Sequence, residues 1–333
     1  MNLSVIILAA GQGKRMRSAL PKVLQPLAGR ALLARVLDTA LALEPASVHV
    51  VYGHGGDQVR AQFADWDLDW AEQAEQLGTG HAVQQALPAV PADHQVLVLC
   101  GDVPLITESV LRDLLAAGGT DKLALLTAEL EDPTGYGRIL RDPGGSVTAI
   151  VEERDADEAQ RAVREINTGL MACPAGLLSE LLAQVRSDNS QGEYYLTDIV
   201  GLAAGAGQTV TAARAPRAEE VLGINDKRQL AEAEALLRAR IAGELMDAGV
   251  SLIDPSRIDV RGRLSCGRDV VIDVNAVFVG EVELADGVQV GPNTVIRDSV
   301  IGAGTRVHPN CVIEEALMGA HCEIGPYARV RPG

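Results

Sequence analysis

The sequence predicts an α/β domain built on a mostly parallel sheet, then a long helix, then a parallel β-helix. Three observations carry that reading. Short apolar runs alternate with helical patterns from residue 1 to about 225, as strands and helices wound into one sheet do. One apolar stripe at helical spacing follows, from Asp226 to about Ala248. Beyond it an aliphatic residue returns every six positions.

At 333 residues the chain is long for a single core, and two domains are expected, 1–225 and 250–333, joined by a helix at 226–249. Apolar residues make up 47% and charged residues 22%, the balance of an ordinary globular protein. The net charge of −16 argues against a nucleic-acid partner, which would call for a basic face. Any anion site must therefore be local. Five cysteines, at 100, 173, 266, 311 and 322, show no CxxC spacing, so neither a disulfide framework nor a structural zinc site is expected. The N-terminal apolar run is short, has no basic residue before it and leads into a glycine loop, so it reads as a strand and not a signal peptide. No apolar stretch reaches the ~18 residues of a membrane span. A cytoplasmic protein is expected.

Strand-like runs lie at 4–9, 47–52, 95–100, 123–128, 147–151 and 208–213, with helical patterns near 31–43, 57–64, 80–87, 107–117 and 175–185. Ligands of open α/β sheets bind beyond the carboxyl ends of the strands, so polar motifs at such ends matter most. The first strand runs into the stretch VIILAAGQGKRMRSALPKVLQ, Val5–Gln25. Gly11 and Gly13 let backbone amides approach an anion closely, while Lys14, Arg15, Arg17 and Lys22 place four cations within nine residues. A polyphosphate suits that loop. It is not a dinucleotide fingerprint, because Met16 stands where a third glycine is needed and no acid closes the second strand. Nor is it a P-loop, because no Gly-Lys-Ser/Thr follows four residues after Gly11.

Further along, Gln73 and Gln76 precede Gly78, Thr79 and Gly80. A glutamine amide offers an acceptor and donors side by side, which matches the edge of uracil, and glycines there would let backbone groups reach a base. The run Val96–Cys100 reads as a buried strand, and Gly101 and Asp102 follow at its carboxyl end. A carboxylate so placed suits Mg²⁺, which prefers oxygen ligands and keeps several waters.

Asp226 is a plausible N-cap for a helix whose stripe runs Leu230, Ala233, Leu237, Ile241, Leu245 and Ala248, with Gly249 as its stop. After it, Ile272, Phe278, Leu284, Val290 and Ile296 are six apart. Five-residue steps then lead to Ile301, Val307 and Ile313, and to Met318, Ile324 and Val330. Small or β-branched residues sit two positions earlier, at Ala276, Val282, Val288, Thr294, Thr305, Cys311, Ala316, Cys322 and Ala328. This is the hexapeptide pattern of a parallel β-helix, three to four coils deep, in which the aliphatic residues point inward and stack.

The stretches LAAGQGKRM and LPKVL resemble the signature of sugar-nucleotide pyrophosphorylases. With the glutamine segment, the resemblance narrows to one family, the bacterial bifunctional N-acetylglucosamine-1-phosphate uridylyltransferases and glucosamine-1-phosphate acetyltransferases, and it continues along the whole chain. It implies a Rossmann-like nucleotidyltransferase domain and a left-handed β-helix; the handedness comes from the family alone. It implies that Leu8, Ala9, Ala10, Gly11, Gln73, Gln76, Gly78 and Thr79 contact the nucleotide, with Cys100, Gly101 and Asp102 beside them. The family usually has tyrosine at the position of Cys100, so any contact by that side chain is lost. The sugar falls to Gly137, Glu152, Asn167, Tyr195 and Thr197, and Mg²⁺ to Asp102 and Asn225. Arg15 and Lys22 are the implied catalytic cations, and Arg331 matches a substrate position of the acetyltransferase domain.

The implied reaction joins UTP and N-acetylglucosamine 1-phosphate into UDP-N-acetylglucosamine and pyrophosphate, in a homotrimer. The family's acetyl-transfer residues lie in later coils, so these 333 residues are expected to lack that second activity. Two other readings are a different sugar-nucleotide pyrophosphorylase and a non-catalytic sugar-nucleotide-binding assembly protein. The glutamine segment and Asn167-Thr-Gly169 oppose the first. Arg15, Lys22 and Asp102, all present, oppose the second.

Overall fold

A computed structural model describes residues 2–332. They divide into two compact units, one of residues up to Gln25 plus Leu32–Lys227, the other of Pro26–Ala31 plus Arg228 onward.

The first unit is built on a nine-stranded sheet. Its strands are β1 (Leu3–Leu8), β2 (Ser47–Tyr52), β3 (Asp69–Glu72), β4 (Gln95–Cys100), β5 (Leu123–Glu129), β6 (Arg138–Arg141), β7 (Val147–Val151), β8 (Glu165–Pro174) and β9 (Val210–Arg214). Along the main path the order is β9-β5-β8-β4-β1-β2-β3, with β6 paired to β8 and β7. All pairings from β4 through β1 and β2 to β3 are parallel, as is β9 with β5. Val5, Ile6 and Ile7 of β1 and Val96–Leu99 of β4 are fully buried, because helices cover both faces of a parallel sheet and its central strands are apolar throughout.

The exception is β8, which runs antiparallel between β4 and β5. Its ladder with β5 slips between Asn167 and Met171, a bulge in which Gly169 takes φ 82°. Asn167-Thr-Gly169, expected as a ligand motif, lies on this strand, which the sequence pattern does not announce. Nor does that pattern announce β3, β6 or the helix Asp198–Gly205.

At the amino ends of the strands, away from the loops after β1 and β4, lies a buried polar chain. His94 Nδ1 is 2.8 Å from Ser4 Oγ, Ser4 Oγ is 2.9 Å from Ser47 Oγ, and Ser47 Oγ is 2.9 Å from His49 Nε2. The Asp69 carboxylate lies 3.5 Å from His49 Nδ1 and favours the proton there. With Nδ1 protonated, all three links close in one direction: His94 N–H to Ser4, Ser4 to Ser47, Ser47 to His49. Burial pushes the His49 pKa below its usual 6.5, Asp69 opposes this, and His94 adds a smaller push downward. A buried base of depressed pKa stabilises the fold above the pKa of the unfolded chain. That stability is lost as pH falls, because the unfolded chain takes up a proton that the native state resists. Between about pH 7.5 and about pH 5.5, urea unfolding is expected to show the native chain losing more stability than His49→Gln. Equal losses would remove His49 as the cause.

The second unit contains the helix Lys227–Asp247 from Arg228 onward. Ala233, Leu237, Ala242 and Leu245 form its buried stripe, whereas Ala248, past the last turn, is exposed. The short hairpin Pro26–Ala31 belongs to this unit, and its Ala28 N–H donates to Glu234 Oε1 at 2.8 Å.

The remainder of this unit is a parallel β-helix. Val260, Phe278, Ile296, Ile313 and Val330 occupy one register, Leu252, Ile272, Val290, Val307 and Ile324 a second, and Cys266, Leu284, Ile301 and Met318 a third. Coils of eighteen residues become coils of seventeen where the five-residue steps fall. The stacked apolar residues from Ile272 to Ile313 are all buried, as are Thr294 and Thr305 two positions before two of them. The coil of Leu252, Val260 and Cys266 was hidden from the periodicity because the 3-10 turn Pro255–Arg257 lengthens one step.

Candidate active site

Three strand ends make the site. β1 delivers Ala9–Gly11, β3 delivers Gln73–Gly78, and β4 delivers Gly101 and Asp102. Two cavities open there, of about 270 and about 200 Å³. The first is lined by Leu8–Gly11, Lys22, Gln73, Gln76, Gly78, Thr79, Cys100 and Asp102, and the second by Gly137, Glu152, Asn167 and Thr197. Leu8, Thr79 and Cys100 line both, so the cavities are halves of one cleft.

The glutamine loop is held by the segment around Tyr194. Tyr194 N–H donates to Leu77 O, Gly80 N–H donates to Tyr194 O, and Leu196 N–H donates to Thr79 Oγ1, at 2.7, 2.8 and 3.0 Å. Gly78 has φ 109°, and a Cβ there would come within 2.6 Å of Tyr194 O. Its glycine is needed for this backbone approach, whereas the sequence reading assigned it to reaching a base. Gln73 is almost fully buried, and its Nε2 lies 2.9 Å from Gly78 O and 3.2 Å from His81 Nδ1. Gln76 Oε1 accepts from Gln12 Nε2 at 2.5 Å. The first amide thus keeps its oxygen, and the second its nitrogen, for a ligand.

Lys22, Asp102 and Asn225 meet at one point. The Lys22 ammonium ion-pairs with Asp102 Oδ2 and donates to Asn225 Oδ1 at 3.1 Å. Val23 and Leu24, both buried, fix the 3-10 turn that Lys22 begins. Ile224 N–H donates to Asp102 O at 2.9 Å and docks the loop of Asn225. Among the described residues no group of three His, Cys, Asp or Glu forms a metal cage. Two oxygens, of Asp102 and Asn225, converge there on one ammonium, and such oxygens suit a hard cation.

Around this point burial dominates the electrostatics. It pushes the Cys100 thiol up to about 12, with a further push from Asp102 against a pull from Lys22, so Cys100 is a neutral, unreactive wall. Burial also raises the Glu152 carboxyl, against the hydrogen bond donated by Thr197 Oγ1 at 3.0 Å; Asp198, Asp155 and Glu193 push the same way as burial. Asn167 Oδ1 accepts from Gly169 N–H at 3.2 Å within the bulge.

Five of the residues expected at the site line neither cavity. Arg15 is exposed on the loop after β1, together with Lys14 and Arg17. Gly101 packs beneath the cleft, its N–H donating to Leu8 O at 2.9 Å. Asn225 accepts from Lys22 through its Oδ1. Tyr195 is buried with its hydroxyl accepting from Gln191 Nε2 at 2.7 Å and lying 3.4 Å from Asp155 Oδ2, so its phenol serves the loop and not the cleft. Arg331 is exposed in the second unit.

The sequence reading missed Tyr136, Glu193 and Gly53. Tyr136 lines the second cavity; burial and the Asp102 charge raise its phenol, while the Gly223 backbone and Arg15 lower it. It immediately precedes Gly137 in the chain. Glu193 lines the first cavity. A Cβ on Gly53 would come within 3.0 Å of Gln76 Nε2 and 3.1 Å of Ala10 Cβ, a constraint that two strand ends impose and that neither shows alone.

The MobA-like NTP transferase domain matches residues 5–248. The chain is 58% identical to the bifunctional protein GlmU of Azoarcus sp. (strain BH72) over 331 residues, which are 99% of this chain and 73% of that protein. Identity to the bifunctional protein GlmU is 57% for Aromatoleum aromaticum (strain DSM 19018 / LMG 30748 / EbN1) and 54% for Ralstonia pickettii (strain 12J), with the same shares covered.

Proposed function

This chain belongs to the GlmU family, and we propose that its cleft performs uridylyl transfer from UTP to N-acetylglucosamine 1-phosphate, releasing pyrophosphate and forming UDP-N-acetylglucosamine. The observation that carries this is the two-part cleft, amides in one half and Glu152, Asn167 and Thr197 in the other, with Lys22 and Asp102 in its wall.

A phosphate oxygen of the sugar phosphate attacks the α-phosphorus of UTP in line. A P–O bond forms, the bond to the β-phosphate breaks, and pyrophosphate departs. The attacking oxygen is already ionised, so no side-chain nucleophile or base is required. Catalysis comes from positioning and from charge set where the transition state needs it. Uracil sits against Ala10, Gly11, Gln73, Gln76 and Gly78. The sugar sits against Gly137, Glu152, Asn167 and Thr197. Lys22 meets charge on the transferred phosphoryl group, and Arg15, exposed on its loop, meets the departing pyrophosphate. Asp102 and Asn225 would hold Mg²⁺, which would supply neutralisation of phosphate charge. Tyr195 acts from outside the cleft by holding the loop at Gln191 and Asp155.

Among the described residues no helix is long and apolar enough to cross a membrane, and a cytoplasmic setting is part of this reading. So is a homotrimer formed through the β-helix, a proposal supported by the exposure of Leu317 there.

A panel of sugar 1-phosphates tests the substrate assignment. With UTP, pyrophosphate release from N-acetylglucosamine 1-phosphate is expected to exceed that from glucose 1-phosphate by at least about tenfold in kcat/KM, because Asn167 and Glu152 would lose partners with the second sugar. Equal release from both would remove the N-acetyl group from the recognition.

A further inference from the structure

We propose that the Lys22 ammonium holds the place of the divalent cation in the resting site and must swing away before that cation binds. This rests on the uridylyltransferase reading and concerns the same cleft. One ammonium engages Asp102 Oδ2 and Asn225 Oδ1 together, and Asp102 and Asn225 are the two residues assigned to the metal. A dication cannot take both while the ammonium stays, because like charges that close repel strongly in a partly dry site. The side chains of Lys22 and Asp102 are 13% and 18% exposed, shielded enough that an unpaired carboxylate would be costly. Lys22 therefore balances the Asp102 charge.

That arrangement lowers the affinity of the free protein for metal. The apparent dissociation constant is the intrinsic one divided by the fraction of molecules in which Lys22 has moved. It also links metal to nucleotide. Gly13 has φ 58°, and a Cβ there would come within 2.7 Å of Lys22 Cβ, so the lysine stem lies against the glycine loop. An ammonium displaced from Asp102 stays beside that loop, where the phosphates of UTP give it a new partner. Metal frees the lysine and phosphate captures it, so each ligand favours the other.

The test is Mn²⁺ binding to nucleotide-free protein, read from the electron paramagnetic resonance signal of the unbound ion. Lys22→Met is expected to bind Mn²⁺ about tenfold or more tightly than the native chain, because the competing fraction is gone. Adding Asp102→Asn to that variant is expected to abolish the gain. Arg15→Met removes an exposed cation of the same loop that does not pair with Asp102, and is expected to change the affinity less than about threefold, the share left to screened charge alone. Circular dichroism checks folding, and Lys22→Gln replaces Lys22→Met should the latter unfold. Equal Mn²⁺ affinity in the native chain and the folded Lys22 variant would overturn the proposal, as would an equal gain from Arg15→Met. Pyrophosphate release from UTP and N-acetylglucosamine 1-phosphate is measured alongside on native protein. Its absence with the tenfold gain intact would reject the substrate reading and leave the displacement standing.

Discussion

CTP is expected to be used about 10⁴-fold less efficiently than UTP, since a site built to hydrogen-bond one edge rejects its mismatch at that scale. The structure says why the amides are not free to adapt. Gln73 is almost fully buried, and both hydrogens of its Nε2 are directed at Gly78 O and His81 Nδ1, which leaves Oε1 for the ligand. Gln76 is oriented the other way, because its Oε1 accepts from Gln12, which leaves Nε2 as a donor. Uracil offers N3–H to an acceptor and O4 to a donor. Cytosine offers the reverse, a bare N3 and an amino group, so both contacts would oppose like with like and leave the buried Gln73 oxygen unpaired. The measurement is kcat/KM for the two nucleotides at fixed sugar phosphate. A ratio within about tenfold would be the discrimination of shape alone and would remove the amides as the reader of the base.

Asp102→Asn is expected to lower kcat/KM by about 10²-fold or more, the scale on which removal of one charge-stabilising group acts. The change keeps size and an oxygen but removes the charge that a cation shares with Lys22. Asn225→Ala removes a neutral oxygen at the same point and is expected to cost less. Because Asp102 and Asn225 converge on one ammonium, the two losses should not add in a double-mutant cycle. Raised Mg²⁺ is expected to restore part of the activity of Asp102→Asn. Additive losses without any Mg²⁺ dependence would mean that the two residues do not serve one ion.

Much of this was open to reading in the sequence, for physical reasons. β1 and β4 are continuous apolar runs because both faces of a parallel sheet are covered, and the hexapeptide spacing survives because each coil repeats the one before it. The site motifs stand at strand ends, where chain direction alone places them together. What escaped depends on partners distant in sequence. β8 is antiparallel and bulged at Asn167, so its pattern reads as a motif and not as a strand. The orientation of each glutamine amide is set by Gln12, His81 and Gly78 O. Tyr195 looked ligand-facing beside Thr197, yet Gln191 and Asp155 hold its hydroxyl elsewhere. The meeting of Lys22 with Asp102 and Asn225 spans the whole first unit, and no spacing rule contains it.

The most direct measurement follows the atom at the centre of the reaction. UTP labelled at the α-phosphorus is incubated with N-acetylglucosamine 1-phosphate, Mg²⁺ and the protein, and the products are separated. The label is expected in UDP-N-acetylglucosamine, with one unlabelled pyrophosphate released for each labelled product. Label remaining in UTP, or appearing only in UMP or UDP, would contradict it.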